Sequence, residues 1–167
     1  MLLFLDVDGT LLPFGGPGPY PAYDAPPASD ALPAVHPLLD RIDPALGPRL
    51  RALGCELVWA TTWLDDANAC VAPWLGLPAL PVVDWPEEPR DAPLYSGPHW
   101  KTRPLVAWAG GRPFVWLDDE ITTADRIWVA AHHPGRALLH RVDHRSGLTE
   151  ADFAAVREWL TGTDGSG

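Results

Sequence analysis

Short apolar runs separated by turn-forming residues set the pattern of this chain: Leu2 to Val7, Leu57 to Ala60, Leu80 to Val83, Phe114 to Leu117 and Ala137 to Val142. None alternates cleanly between apolar and polar positions, as expected of strands covered on both faces. Helices are predicted between them. Asp43 and Pro44 can cap and open a helix running to Leu53, with Gly54 as its stop, although Gly47 and Pro48 weaken that signal. Leu64 to Leu75, Trp100 to Ala109 and Thr122 to Ala131 are further candidates. The last helix is the clearest. Thr149 caps it, Asp152 sits three residues on, and Phe153, Val156, Trp159 and Leu160 share one face, which reads as a packing stripe.

Strands alternating with helices of this length imply right-handed crossovers. They predict a three-layer, Rossmann-like α/β fold around a central parallel sheet. A length of 167 residues suits a single domain, expected over 1–160, with short proline-rich flaps at 13–33 and 84–99, no large inserted cap, and a flexible tail at 161–167. Twenty prolines and fifteen glycines would suggest disorder on their own, but nine tryptophans need a packed structure to shelter them. Rigid loops around an ordinary core are therefore expected. No run approaches the roughly 18 apolar residues of a membrane helix, so a soluble protein with no membrane partner is predicted. Two cysteines are too few for a disulfide framework, and the first residues show no leader-like pattern. A reduced, cytoplasmic protein is the expectation. The net charge of −10 argues against a basic face gripping phosphate backbones. Within the twelve basic residues, eleven are arginine and one, Lys101, is lysine.

The chemistry concentrates at the ends of the predicted strands. Asp6 and Asp8 follow the first strand, and Gly9 lets the chain turn at once. Residues i and i+2 of a strand share a face, about 6.6 Å apart at roughly 3.3 Å per residue, so both acids can address one small ligand. A turn in which Asp caps backbone amides would explain a lone Asp-Gly. Two acids after a buried strand repel each other and lose hydration, which favours a cation between them. Asp118 and Asp119 repeat the device after Phe114 to Leu117. Taken alone they would serve equally as acids at a helix start. In a parallel sheet, however, strand carboxyl ends lie along one edge, so these four acids should converge. Oxygen-only donors suit Mg2+ rather than zinc, which would want His or Cys. Thr61 and Thr62 end the second strand and can bind a phosphate oxygen or cap the next helix. Lys101 opens a helix after a proline-rich loop and can bring a point charge to a phosphate. Tyr20, Tyr23, Trp63, Trp85 and Trp100 read as loop packing first and as a base-stacking rim second. His132 and His133 read as surface residues at a helix end, and His99 draws only slight notice beside the lysine helix.

Together the segments Asp6-Val7-Asp8-Gly9-Thr10, Thr61, Lys101 and Asp118-Asp119, in this order, resemble the haloacid dehalogenase (HAD) superfamily of aspartate-dependent phosphohydrolases. The resemblance implies a Mg2+-dependent phosphatase with Asp6 as the nucleophile that forms an aspartyl-phosphate. It implies Asp8 as general acid and base, its main-chain carbonyl also facing the metal. Thr61 or Thr62 would bind the phosphoryl group, Lys101 would steady phosphate and nucleophile, and Asp118 with Asp119 would complete the metal site. The absence of a large cap makes the chain similar to HAD domains associated with nucleic-acid repair. An open site of this kind suits a macromolecular end, a phosphoprotein or a nucleotide phosphate better than a small metabolite, unless a partner supplies a lid. A nucleic-acid end is compatible with this resemblance but draws no support from the net charge. A non-catalytic phosphate-binding module, a phosphotransferase and, least favoured, a dehalogenase are the alternative readings on the same scaffold.

Overall fold

Strand β1 (Leu2–Leu5), all four residues buried, lies at the centre of the computed structural model, which describes residues 1–26, 36–86 and 97–162. On one side β1 pairs with β2 (Glu56–Trp59) and on the other with β3 (Phe114–Asp118), beyond which lies β4 (Ala137–Arg141). Every pairing is parallel, in the order β2-β1-β3-β4. The register sets Leu5 beside both Trp59 and Leu117, so the chain leaves these three strands at one level. Two bonds continue the ladder past β1, from Asp6 N–H to the Leu117 carbonyl at 3.1 Å and from Ala60 N–H to the Leu5 carbonyl at 2.9 Å.

Both faces of the sheet are covered, which is why the strands read as continuous apolar runs. Leu3, Leu5, Leu57, Trp59, Val115 and Leu117 pack with residues of α1 (Leu46–Arg51), α2 (Ala72–Trp74) and α5 (Glu150–Thr161). Leu2, Phe4, Val58, Phe114 and Trp116 pack with residues of α3 (Thr102–Ala109) and α4 (Thr123–His132). This is the three-layer, Rossmann-like α/β arrangement that the sequence predicts, and no cap domain occurs among the described residues. Capping boxes open the last two helices: Thr122 with Asp125, and Thr149 with Asp152. Phe153 and Val156 of the expected stripe are buried, while Trp159 and Leu160 pack at its margin. Buried tryptophans also find partners for their N–H groups, as such large amphipathic rings require. Trp59 donates to Asn68 Oδ1 at 2.9 Å and Trp74 to the Ile42 carbonyl at 2.8 Å.

Several elements differ from expectation. Leu80 to Val83 forms no full strand; Val82 makes one isolated parallel bridge to Trp59. Pro81 has no N–H for a longer ladder, and the Asn68 side chain takes the place of a neighbouring strand, bonding the Leu80 N–H and carbonyl at 2.8 Å each. The helix expected from Leu64 starts one residue later, with Asp65 and Asp66 helical, then passes through a π-helical turn at Ala67–Val71 into α2, and Leu64 itself adopts a left-handed φ of 50°. The helix expected from Asp43 is shortened to α1, with Asp43 Oδ1 accepting the Ala45 N–H at 2.9 Å. Gly47 is needed inside it, since a Cβ there would lie 1.8 Å from the Leu75 carbonyl oxygen. His133 is buried rather than on the surface: its Nε2 lies 3.1 Å from the Arg112 carbonyl, and its ring packs on Phe114. Thr161 belongs to α5 rather than to a tail. Residues 27–33 and 87–96 of the two expected flaps, and 163–167 of the expected tail, lie outside the described residues. Among the described residues no helix is long and apolar enough to cross a membrane.

Candidate active site at the carboxyl edge of the sheet

Asp6 leaves β1 and Asp118 ends β3, and between them, from the start of α3, comes Lys101. Its Nζ lies 3.0 Å from Asp6 Oδ1 and 2.8 Å from Asp118 Oδ2. All three side chains are buried. Asp118 accepts two further bonds, from the Trp116 indole at 3.2 Å to Oδ2 and from the Glu120 N–H at 2.9 Å to Oδ1. The cap of α4 is Thr122, so Asp118 and Asp119 are left free of the helix-capping role that their sequence also allowed.

Asp119 joins this group. One carboxylate oxygen from each of Asp6, Asp118 and Asp119 lies within 4.8 Å of the others, a convergence of oxygen donors that suits a hard cation. The electrostatics point the same way. Burial pushes the Asp6 carboxyl up to about 8, against the pull of Lys101 and with a further push from Asp118. Burial and then the charges of Asp118 and Glu120 raise Asp119 as well. For Lys101, burial works against the charged form, but Asp6 and Asp118 outweigh it and hold the ammonium above its ordinary value. One ammonium shared among three converging acids leaves an excess of negative charge, and a divalent cation is its natural complement. The residues therefore fit Mg2+, with Asp6, Asp118 and Asp119 as the side chains that would hold it.

Gly9 makes this convergence possible. It has a φ of 71°, and a Cβ on it would sit 2.4 Å from Asp119 Cγ. Gly9→Ala is expected to lower stability by about 1–2 kcal/mol, from left-handed strain and from displacement of Asp119. Adding Asp119→Ala should restore the steric part, so the double variant should be less destabilised than the sum of the single ones. Thermal unfolding of the four proteins measures this, and strict additivity would show that the two residues do not meet.

The remaining candidates stand around this centre. Asp8 is half-buried and its carboxylate is outside the converging group; Oδ2 accepts the Trp63 indole N–H at 2.9 Å. Thr61 is fully buried at the end of β2, its Oγ1 accepting the Trp63 N–H at 3.3 Å and its carbonyl accepting the Trp85 indole at 3.0 Å. Thr62 is exposed. The aromatic candidates largely pack on other groups: Trp63 against His36, Trp85 against Trp100, and Tyr20 beneath Arg41. His99 lies against Trp100 and Trp116, with Nε2 3.1 Å from Glu120.

Three indoles thus bond groups of the site, namely Trp63 to Asp8, Trp116 to Asp118 and Trp85 to Thr61. Sequence reading missed these donor roles. The Trp116 contact had a signal, because Trp116 and Asp118 are alternate residues of one strand and share a face. Trp63 and Trp85 reach their acceptors from loops, where no periodicity predicts direction. Comparison with known proteins gives one result: a family model described as the HAD domain in Swiss Army Knife RNA repair proteins matches residues 2–153. No curated protein and no solved structure matches the chain.

Proposed function

Because the chain belongs to the family of HAD domains found in Swiss Army Knife RNA repair proteins, a phosphohydrolase type of scaffold, we propose that it is a Mg2+-dependent phosphatase acting on a phosphorylated RNA end. The observation that carries this reading is the Lys101 ammonium held between Asp6 and Asp118, with Asp119 converging on them. A carboxylate kept beside a fixed positive charge is equipped to attack phosphorus and form an aspartyl-phosphate. Asp6, Asp118 and Asp119 would hold Mg2+, which would supply positive charge where the phosphoryl oxygens gain negative charge.

The chain's own groups account for the rest. As the Asp6 carboxylate oxygen bonds to phosphorus, the ester P–O bond breaks and the departing oxygen takes the proton of Asp8. The Asp8 carboxylate then takes a proton from the water that attacks the phosphoryl group, which releases Asp6 and inorganic phosphate. Lys101 offsets charge on Asp6 and on the phosphoryl group, and the Thr61 hydroxyl, with the nearby main-chain amides, is the donor set at the end of β2. Thr61 is preferred to Thr62 because it continues β2 beside Ala60, which bonds the Leu5 carbonyl next to Asp6. An RNA end suits a site without a large cap, and recognition of a terminus asks little of a chain whose net charge is −10.

The test is phosphate release from oligoribonucleotides bearing 5′- or 3′-terminal phosphate, with mononucleotides, sugar phosphates, phosphopeptides and 4-nitrophenyl phosphate alongside. Release from an RNA end, abolished by chelator and restored by Mg2+, is expected. Beryllofluoride binding at Asp6 with no turnover across the panel would instead indicate a phosphate-binding module without catalysis.

A further inference from the structure

Trp63 stands two residues beyond Thr61, and its indole bond to Asp8 Oδ2 at 2.9 Å is the one hydrogen bond of that carboxylate among the described residues. An indole N–H can only donate. It fixes one carboxyl oxygen, and Oδ1 is left without a hydrogen bond among the described residues.

The turn that aims this indole is strained. Leu64, the next residue, has a φ of 50° and is the one non-glycine residue with positive φ among those described. The residue is 43% exposed, so burial does not explain the conformation. Bonds from Trp63 N–H to Thr61 Oγ1 and from Leu64 N–H to the Thr61 carbonyl, at 3.3 and 3.4 Å, close the turn, and the Trp63 ring packs on His36 at 4.4 Å between centroids. Backbone strain of this kind persists where the surroundings over-determine it, often beside a functional group.

We propose that Trp63 is the positioning residue of the acid–base step, held by the Leu64 turn so that the Asp8 carboxyl presents Oδ1 to the departing oxygen. The inference rests on the phosphatase reading above. It assigns to Trp63 no contact with substrate; its effect passes through Asp8 alone.

The dependence on leaving group tests it. An alkyl ester needs its departing oxygen protonated as the P–O bond breaks, whereas 4-nitrophenolate leaves with little help. Trp63→Phe keeps a ring to pack on His36 and removes the N–H. Its loss of kcat/KM is expected to be about tenfold or more greater for an alkyl phosphate than for 4-nitrophenyl phosphate. A merely structural role would lower both equally, and equal losses, or no loss, would overturn the inference. Should Trp63→Phe not fold, the same ratio is read in Leu64→Val, a β-branched residue that disfavours the left-handed turn while keeping the indole, and an unchanged ratio there also counts against it. If the wild-type protein turns over neither ester, the phosphatase reading has failed and the inference falls with it. Wild-type turnover with an unshifted ratio sinks the inference alone.

Discussion

Asp6→Asn is expected to leave the protein folded and its phosphate release reduced by about 10³-fold or more, the scale on which loss of a nucleophile is felt. The amide matches the carboxyl in shape but cannot form the acyl phosphate, so the loss should appear in kcat on every substrate. The same variant makes a second, opposite prediction for stability. Burial and Asp118 raise Asp6 from 3.8 to about 8 in spite of Lys101, so without metal the folded chain binds more protons than the unfolded chain between those values. Stability then falls as pH rises through that window, and it is fully present below it. Asparagine does not titrate. In chelator, therefore, the melting temperature of Asp6→Asn should overtake that of the wild type towards pH 8 and approach it towards pH 4, while Mg2+ should narrow the gap by restoring charge balance to the wild type. A variant that is inactive and less stable at every pH would mean that Asp6 supports the fold rather than being held in it under electrostatic tension.

The amino-acid pattern alone makes part of that tension legible. Two acids after each of two buried strands imply convergence once the strands are parallel, and Asp6, Asp118 and Asp119 do converge. Asp8 does not join them, because a strand rule for i and i+2 stops applying where the strand stops: β1 ends at Leu5, and Gly9 turns the chain. Long-range substitutes for regular structure are hidden from such a pattern. Nothing in Leu80 to Val83 says that the Asn68 amide will stand in for a strand, and the backbone strain at Leu64 has no signature in a residue that ordinarily favours helix. His133 misleads for a related reason, since its position at the end of α4 fits a surface cation, yet a carbonyl and a phenyl ring receive it in the interior. Local signals thus specify the layers and the converging acids, while contacts made through side chains from loops decide the remainder of the site.

Lys101 carries the other large effect. Its ammonium touches two carboxylates at 3.0 and 2.8 Å with almost no solvent access, so its removal leaves both acids without their shared counter-charge. Lys101→Met should cost about 3–5 kcal/mol of stability in chelator, the usual consequence of stripping one partner from a buried charge cluster. Lys101→Arg separates charge from shape. It keeps the cation but replaces a compact tetrahedral donor on a thin stem with a wide planar fork, which needs room in a place where Asp6, Asp118 and the Trp116 indole already meet. We expect a loss of about 100-fold or more in kcat/KM for Lys101→Arg with a smaller loss of stability than Lys101→Met. Arg51→Lys, at an exposed position of α1, should be silent and so control for the exchange itself. Eleven of the twelve basic residues are arginine, and the single exception is the one buried Lys or Arg among the described residues. If Lys101→Arg retained full activity, geometry would not be the reason for that exception, and the ammonium would be acting through its charge alone.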